Sequence, residues 1–239
     1  VDYDSLTSGQ RRKYFETVSG THRRRVELVI LTKNGGVVRS LTNRFLGGSI
    51  SGDDTRTPVE VLECEIFDDD YALDWKHGRH RQFKARVVDA RFIPALDEWV
   101  ECEVFTGPIW DFERNGPVVS LVAQGSERLA MGSVRRAFHR PRKTKATKVI
   151  RDLLEDAGAP DKGLRVPSRN ATLPEAVTVG VRVGKRRDEN GKEKGLGKDT
   201  RRRTRILKVD REDTYWGTAA PIARALDCDL FADGRGRFI

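Results

Sequence analysis

Cysteine is scarce: Cys64, Cys102 and Cys228 are the only three in 239 residues, and no two form a Cys-x-x-Cys pair. An odd, scattered set argues against a disulfide framework and against the paired-thiolate spacing of a structural zinc site. Such thiols are expected to be neutral and buried. Long apolar runs are also lacking, and no stretch approaches the ~20 consecutive apolar residues that a membrane-spanning helix requires. No apolar h-region of the signal-peptide kind follows a basic N-terminus. Aromatic residues make up 8% of the chain. None occurs between Lys185 and Lys198, which weakens any reading of that stretch as a platform for stacking bases. Methionine occurs once, as Met131, and the chain opens on Val1, so the sequence need not be a whole translation product.

Charge is abundant: 34% of residues are charged, and 45 Lys and Arg against 36 Asp and Glu give a net +9. The excess is unevenly placed. Gly9 to Arg25 holds six basic residues and one acidic, Ser133 to Lys145 six and none, and Arg182 to Arg205 eleven and four. Those clusters carry a combined +18, which leaves −9 on the rest of the chain. Asp53 to Asp74 contributes most of that, with nine carboxylates and one Arg. Basic arms beside an acidic flank fit contacts between chains. Clustered Lys and Arg also fit phosphate binding.

From about residue 22 to Ala123 the dominant pattern is period-two alternation broken by turns, which predicts antiparallel β structure. Val26, Leu28 and Ile30 share one strand face, and Asn34-Gly35-Gly36 is a hairpin turn before Val37 and Val38. Leu62-Glu63-Cys64-Glu65-Ile66 and Val100-Glu101-Cys102-Glu103-Val104 repeat one pattern, with cysteines inward and glutamates outward. Further strands are predicted from Phe83 to Phe92, over Ile109 to Phe112 and over Val118 to Val122. Six to eight short strands in about 100 residues fit a small barrel or sandwich.

After Met131 the pattern changes. Val149, Ile150, Leu153 and Leu154 form the buried stripe of a helix from Lys145 to Ala157, with Thr144 as candidate N-cap and Gly158 as stop. A second helix is expected over Asp213 to Leu226, capped by Asp213 and kinked or shortened by Pro221. Thr178 to Val183 and Arg205 to Val209 are expected to pair around a long, nearly apolar-free loop. Leu230 to Ile239 reads as a strand, an Asp-Gly turn and a returning strand, from which further residues after Ile239 are expected in the native protein.

Catalytic constellations are not visible. Gly191 to Lys198 spaces superficially like a phosphate-binding loop, but Asp199 stands where Ser or Thr is needed and no apolar strand precedes it. Asp70, Asp74, His77 and His80 offer metal-ligand chemistry, yet Lys76, Arg79 and Arg81 interleave with them. Asp68, Asp69 and Asp70 are consecutive, so on an extended segment they point in alternating directions and converge poorly. No nucleophile elbow or Cys-His signature occurs. The chain is therefore read as no enzyme, without cofactor or metal.

The run Glu98-Trp99-Val100-Glu101-Cys102-Glu103-Val104-Phe105-Thr106-Gly107-Pro108-Ile109-Trp110-Asp111-Phe112-Glu113-Arg114-Asn115-Gly116 resembles minor tail proteins of long-tailed bacteriophages of actinobacteria. The resemblance continues through Val119 to Glu127, the helix from Ala146 to Gly158, and Trp216 to Phe231. It also extends to the tail-tip, or baseplate, hub that closes the tail tube. The resemblance implies a β-rich α+β fold: a tail-tube-like antiparallel β-barrel or sandwich, then a smaller α+β part in which a second barrel would begin. Domains are expected as an N-terminal arm over 1–21, the barrel over 22–131, and an α+β domain over 132–239 with a basic loop at about 184–205. The implied role is structural, in the virion at the tail tip after assembly in the host cytoplasm. Implied partners are other copies of the chain, as a trimer, with distal tail, tape-measure and other tail-tip proteins, and DNA passing through the lumen.

Residues expected to meet these partners are Arg11, Arg12, Arg23, Arg24, Arg25, Glu60, Glu63, Asp68, Asp69, Asp70, Phe105, Trp110, Phe112, Arg135, Arg136, Lys185, Arg186, Arg187, Arg201, Arg202 and Arg203. The alternative is a non-enzymatic nucleic-acid-binding module using the basic clusters at 135–145 and 185–205. A metal-dependent nuclease on Asp68 to His80 is the third and weakest reading.

Overall fold

Alternation becomes a seven-stranded antiparallel sheet: β1 (Arg24–Thr32), β2 (Val37–Ser40), β3 (Phe45–Gly52), β4 (Glu60–Phe67), β5 (Phe83–Ile93), β6 (Glu98–Asn115) and β7 (Val118–Gln124). Their spatial order is β2-β1-β5-β6-β7-β4-β3. The computed structural model describes residues 1–20, 23–52, 58, 60–73, 75–159, 171–178, 180–184 and 202–239. These form two units, Val1–Arg128 with Ala232–Phe238, and Leu129–Phe231 with Ile239.

Chain connectivity dictates the curl of the sheet. β2 and β3 lie at its opposite ends, which in a flat sheet would be roughly 29 Å apart at about 4.8 Å per strand. Ser40 and Phe45 are joined by the single turn Thr42–Arg44, and five Cα steps reach at most about 19 Å. The sheet must therefore bend round until its ends approach at this corner. It encloses Leu28, Ile30, Leu62, Cys64, Ile66, Phe105, Ile109 and Leu121, all nearly without solvent contact. Among the described residues the two end strands have no partner on their outer sides, so the curled sheet is left open.

Ahead of the sheet stands α1 (Ser8–Val18), closed by a capping box between Thr7 and Gln10. Its Tyr14 packs with Leu6, Ile93 and Val100 in a second small core. The sequence assigns 232–238 to the α+β part, whereas the fold gives these residues to the first unit. A Cβ on Gly234 would lie 2.8 Å from the Val104 carbonyl oxygen, and one on Gly236, at φ +70°, 2.9 Å from that of Thr106. The expected strand-turn-strand appears as a short hairpin: Phe231 and Ile239 exchange backbone bonds at 3.2 and 2.9 Å, Asp233 N–H donates to the Arg237 carbonyl oxygen at 2.9 Å, and Ala232 bridges Phe238. Asp233 closes its turn by accepting the N–H groups of Arg235 and Arg237 at 3.1 and 2.9 Å.

The second unit follows the short α2 (Glu127–Ala130) and comprises β8 (Phe138–Pro141), α3 (Ala146–Ala157), β9 (Gly180–Gly184), β10 (Arg202–Val209) and α4 (Tyr215–Arg224). Its sheet runs β8-β10-β9, all antiparallel. Two cap assignments differ from expectation. Lys145, not Thr144, is the N-cap of α3 and makes no side-chain cap bond, because Ala171 supplies the acceptor for Ala146 N–H at 3.0 Å. Thr214 caps α4, accepting Gly217 N–H at 2.9 Å. Asp213 is occupied in accepting Asp210 N–H at 2.7 Å. α4 runs through Pro221. Proline forfeits the bond to the carbonyl four residues earlier, here exposed Gly217, so that carbonyl can meet solvent.

Candidate interaction surface

Strand pairing brings four carboxylates onto one outward face. Ser49 pairs with Glu63, Glu63 with Val122, and Val122 with Asp111; in the neighbouring row Gly47 pairs with Glu65, Glu65 with Ser120, and Ser120 with Glu113. Glu63, Glu65, Asp111 and Glu113 are all exposed. Among the described residues none of the four has an ion-pair partner. Gly47, Gly48, Ser49 and Ser120 line a shallow trough between them. A Cβ on Gly48 would meet the Glu63 carbonyl oxygen at 2.6 Å, so β3 seats itself against β4 only with glycine there.

Beside this face lies the unpaired edge of β3. Its eight residues include no charge and no proline, and Leu46 and Ile50 are 56% and 38% exposed. At the other end of the sheet, β2 exposes Val37 and Val38 by 64% and 49%.

Other acidic positions are committed within the fold. Asp68 is fully buried. It accepts Arg44 Nη1 at 3.1 Å, Ala72 N–H at 3.1 Å, Leu73 N–H at 3.0 Å, and Arg114 Nη2 at hydrogen-bond contact. Asp70 is exposed but pairs with Arg44, whose guanidinium holds its carboxyl below the usual range. Asp69 is exposed. Glu60 is half-buried, and its pKa is pushed up first by burial and then by the charges of Glu127 and Asp233. Phe105 has no exposed surface and belongs to the core. Asp68 and Phe105 thus have no surface for another chain to meet.

Two guanidiniums lie over the Trp110 ring, Arg81 at 4.9 Å and Arg128 at 3.7 Å from its centroid. Phe112 packs on Trp75 and stacks with His80, whose Nε2 lies 3.2 Å from the Trp110 carbonyl oxygen. Among the described residues no group of three or more His, Cys, Asp or Glu is arranged to hold a metal ion; Asp74 lies outside them. Burial pushes the Cys64 thiol up to about 12, away from the reactive thiolate.

The residues of the basic arm stay exposed but are partnered within the first unit. Arg11 donates to the Asp4 carbonyl oxygen at 3.1 Å, and Arg12 pairs with Glu16 at 3.1 Å. Arg23 sits over Phe92, Arg24 pairs with Asp89 at 2.6 Å, and Arg25 pairs with Glu27 at 2.5 Å while stacking on Trp99. In the second unit Arg135 and Arg136 are exposed. Arg202 and Arg203 lie on β10, with backbones opposite Gly184 and Val183. Lys185, Arg186, Arg187 and Arg201 lie outside the described residues.

Among the described residues no helix is long and apolar enough to cross a membrane. No protein-family profile and no curated protein matches the chain. Solved structures do. The chain is similar in fold to the 43 kDa tail protein of prophage MuSo2 from Shewanella oneidensis, with TM-score 0.51 and 11% identity over 90% of this chain and 52% of that one. Also similar are a tail protein from Neisseria meningitidis, at TM-score 0.47 and 10% identity over 89% and 49%, and the Francisella PdpA-VgrG complex, at 0.46 and 8% over 98% and 34%. The chain spans about half the length of the first of these. Its fold is a β-rich α+β fold of the kind found in a phage tail protein.

Proposed function

We propose that the chain is a structural, non-enzymatic component of a bacteriophage tail, a hub or minor tail protein of the tail tip. The observation that carries this reading is the likeness in fold to the MuSo2 tail protein across 90% of the chain. The resemblance of Glu98 to Gly116 to minor tail proteins of actinobacterial long-tailed phages narrows it. Work of this kind consists of assembly, and the open sheet provides for it: unpaired β2 and β3 edges are satisfied by strands of neighbouring chains, which removes the hazard that bare edges pose. Distal tail and tape-measure proteins, and other copies in threefold arrangement, are the partners this role supplies. Sedimentation velocity of the purified chain over a range of concentration and salt tests it. Self-association that weakens as salt rises is expected, and a monomer at every concentration overturns the self-assembling part.

A nucleic-acid-binding reading draws on one observation, the exposure of Arg135, Arg136, Lys143, Lys145, Lys148 and Arg151 in the second unit. Affinity for DNA would then fall with salt at a log-log slope of about −0.9 per phosphate neutralised. Absence of binding at low salt removes this reading.

A further inference from the structure

We propose that the β3 edge and the acidic face beside it form a docking site for an extended segment of another protein, whose side chains alternate between apolar and cationic. This goes beyond the tail reading and is tested separately from it.

Exposed strand edges are normally guarded by lysine, proline, a bulge or a very short length. β3 is eight residues long and has neither charge nor proline; its one irregularity, between Phe45 and Gly47, lies at the corner next to β2. From Gly47 to Gly52 it presents a regular template for an eighth strand.

Register then defines what that strand must carry. Its outward side chains would lie beside Gly47 and Ser49, the small residues ending the two rows that hold Glu65 and Glu63. Those carboxylates are about two strand spacings away, roughly 10 Å, a span that lysine or arginine and glutamate bridge together across the low trough. Asp111 and Glu113 stand further along the same rows. All four lack an ion-pair partner among the described residues, whereas Asp68, Asp70 and Asp89 are each paired with arginine. Inward side chains of the added strand would lie beside Gly48 and Ile50, next to Cys64 and Leu62 of the core, and must be apolar. Main-chain bonds supply affinity and the alternation supplies specificity, as in other strand-addition modes.

Among the described residues, a second copy of this chain offers no edge strand of that description. Its unpaired edge strands β2, β8 and β9 each contain a single arginine and no lysine. None can place two cations on one face. The exposed Arg11, Arg12 and Lys13 lie on a helix and present no strand edge. Because no described edge strand of this chain carries two cations on one face, the occupant is assigned to a different protein, as a strand basic at alternate positions.

Fluorescence anisotropy with a labelled peptide, Val-Arg-Val-Lys-Val-Arg-Val, tests the site on the full chain. Saturable binding is expected, at least about tenfold tighter than that of the block isomer Val-Val-Val-Val-Arg-Lys-Arg. Two variants should each weaken it by about tenfold or more: the double substitution Glu63→Lys with Glu65→Lys, and Gly47→Lys. A Cβ on Gly47 meets nothing within 4 Å, so the latter variant keeps its fold and adds the guarding cation that β3 lacks. Glu212→Lys, exposed in the second unit, should change nothing, and an unaltered thermal transition certifies each variant as folded. Equal binding of both peptides reduces the effect to charge alone and overturns the proposal. So does undiminished binding to folded Gly47→Lys, or loss of self-association rather than of peptide binding in the charge-reversed variant, which would assign the surface to a second copy.

Discussion

Asp68 shows how a single residue can be drawn out of the surface charge it belongs to in sequence. Buried between Arg44 and Arg114, it uses its remaining acceptor capacity on the backbone of Ala72 and Leu73 and so pins the chain leaving β4. Removing one partner from a buried ion cluster leaves uncompensated charge. Asp68→Ala should therefore lower unfolding free energy by about 3–5 kcal/mol, read from urea melts. Glu127 behaves oppositely. It is 1% exposed and accepts Ala232 N–H at 2.7 Å through Oε1, while Oε2 is buried without a hydrogen-bond partner among the described residues. Burial raises its pKa, and Glu60 nearby is raised for the same first reason. The folded state then retains protons that the unfolded chain has released, so the contribution of these two groups to stability is complete below the ordinary glutamate value of 4.5 and is lost as pH rises through the raised values. Glu127→Gln should flatten that fall and raise the melting temperature at neutral pH, measured by thermal scans across pH. Alternation in the sequence places Cys64 inward and Glu63 and Glu65 outward, as observed. It does not show Asp68 turning inward, because that depends on arginines 24 residues before and 46 after it.

Elements differ in how far local pattern determines them. α3 is read almost to its ends because Val149, Ile150, Leu153 and Leu154 form one stripe and Gly158, at φ 99°, stops it. α1 has no such stripe, only Tyr14 being buried, and its signal is the Thr7-x-x-Gln10 capping box alone. β8, Phe-His-Arg-Pro, is too polar and short to stand out, and owes its assignment to pairing with β10. Strand order is equally hidden from a one-dimensional reading. The acidic face joins residues of β4 and β6 across β7, so a reading that turns Glu63 and Glu65 outward does not show that they meet Asp111 and Glu113. At this scale β3 is the sensitive element. Gly48→Ala forces a Cβ to within 2.6 Å of the Glu63 carbonyl oxygen and 2.7 Å of Cys64 Cβ. A loss of about 1–3 kcal/mol is expected from such overpacking, seen as an earlier urea midpoint, whereas Gly47→Ala should be nearly silent.

For the whole molecule, the net +9 of the chain is a balance between opposed regions. Much of the basic arm is spent inside the first unit on Asp89, Glu16, Glu27 and aromatic faces. What remains exposed and without a partner among the described residues of that unit includes a strand edge and four carboxylates, surfaces suited to being covered by other chains. That is the arrangement the proposed tail role needs, and composition does not reveal it. Immunogold electron microscopy of tailed particles purified from a lysate in which this chain is produced tests the proposed tail role most directly. Gold confined to one end of the tail, with the chain recovered in the particle fraction, is the predicted result. Intact tailed particles that carry no label and contain none of the chain would contradict it.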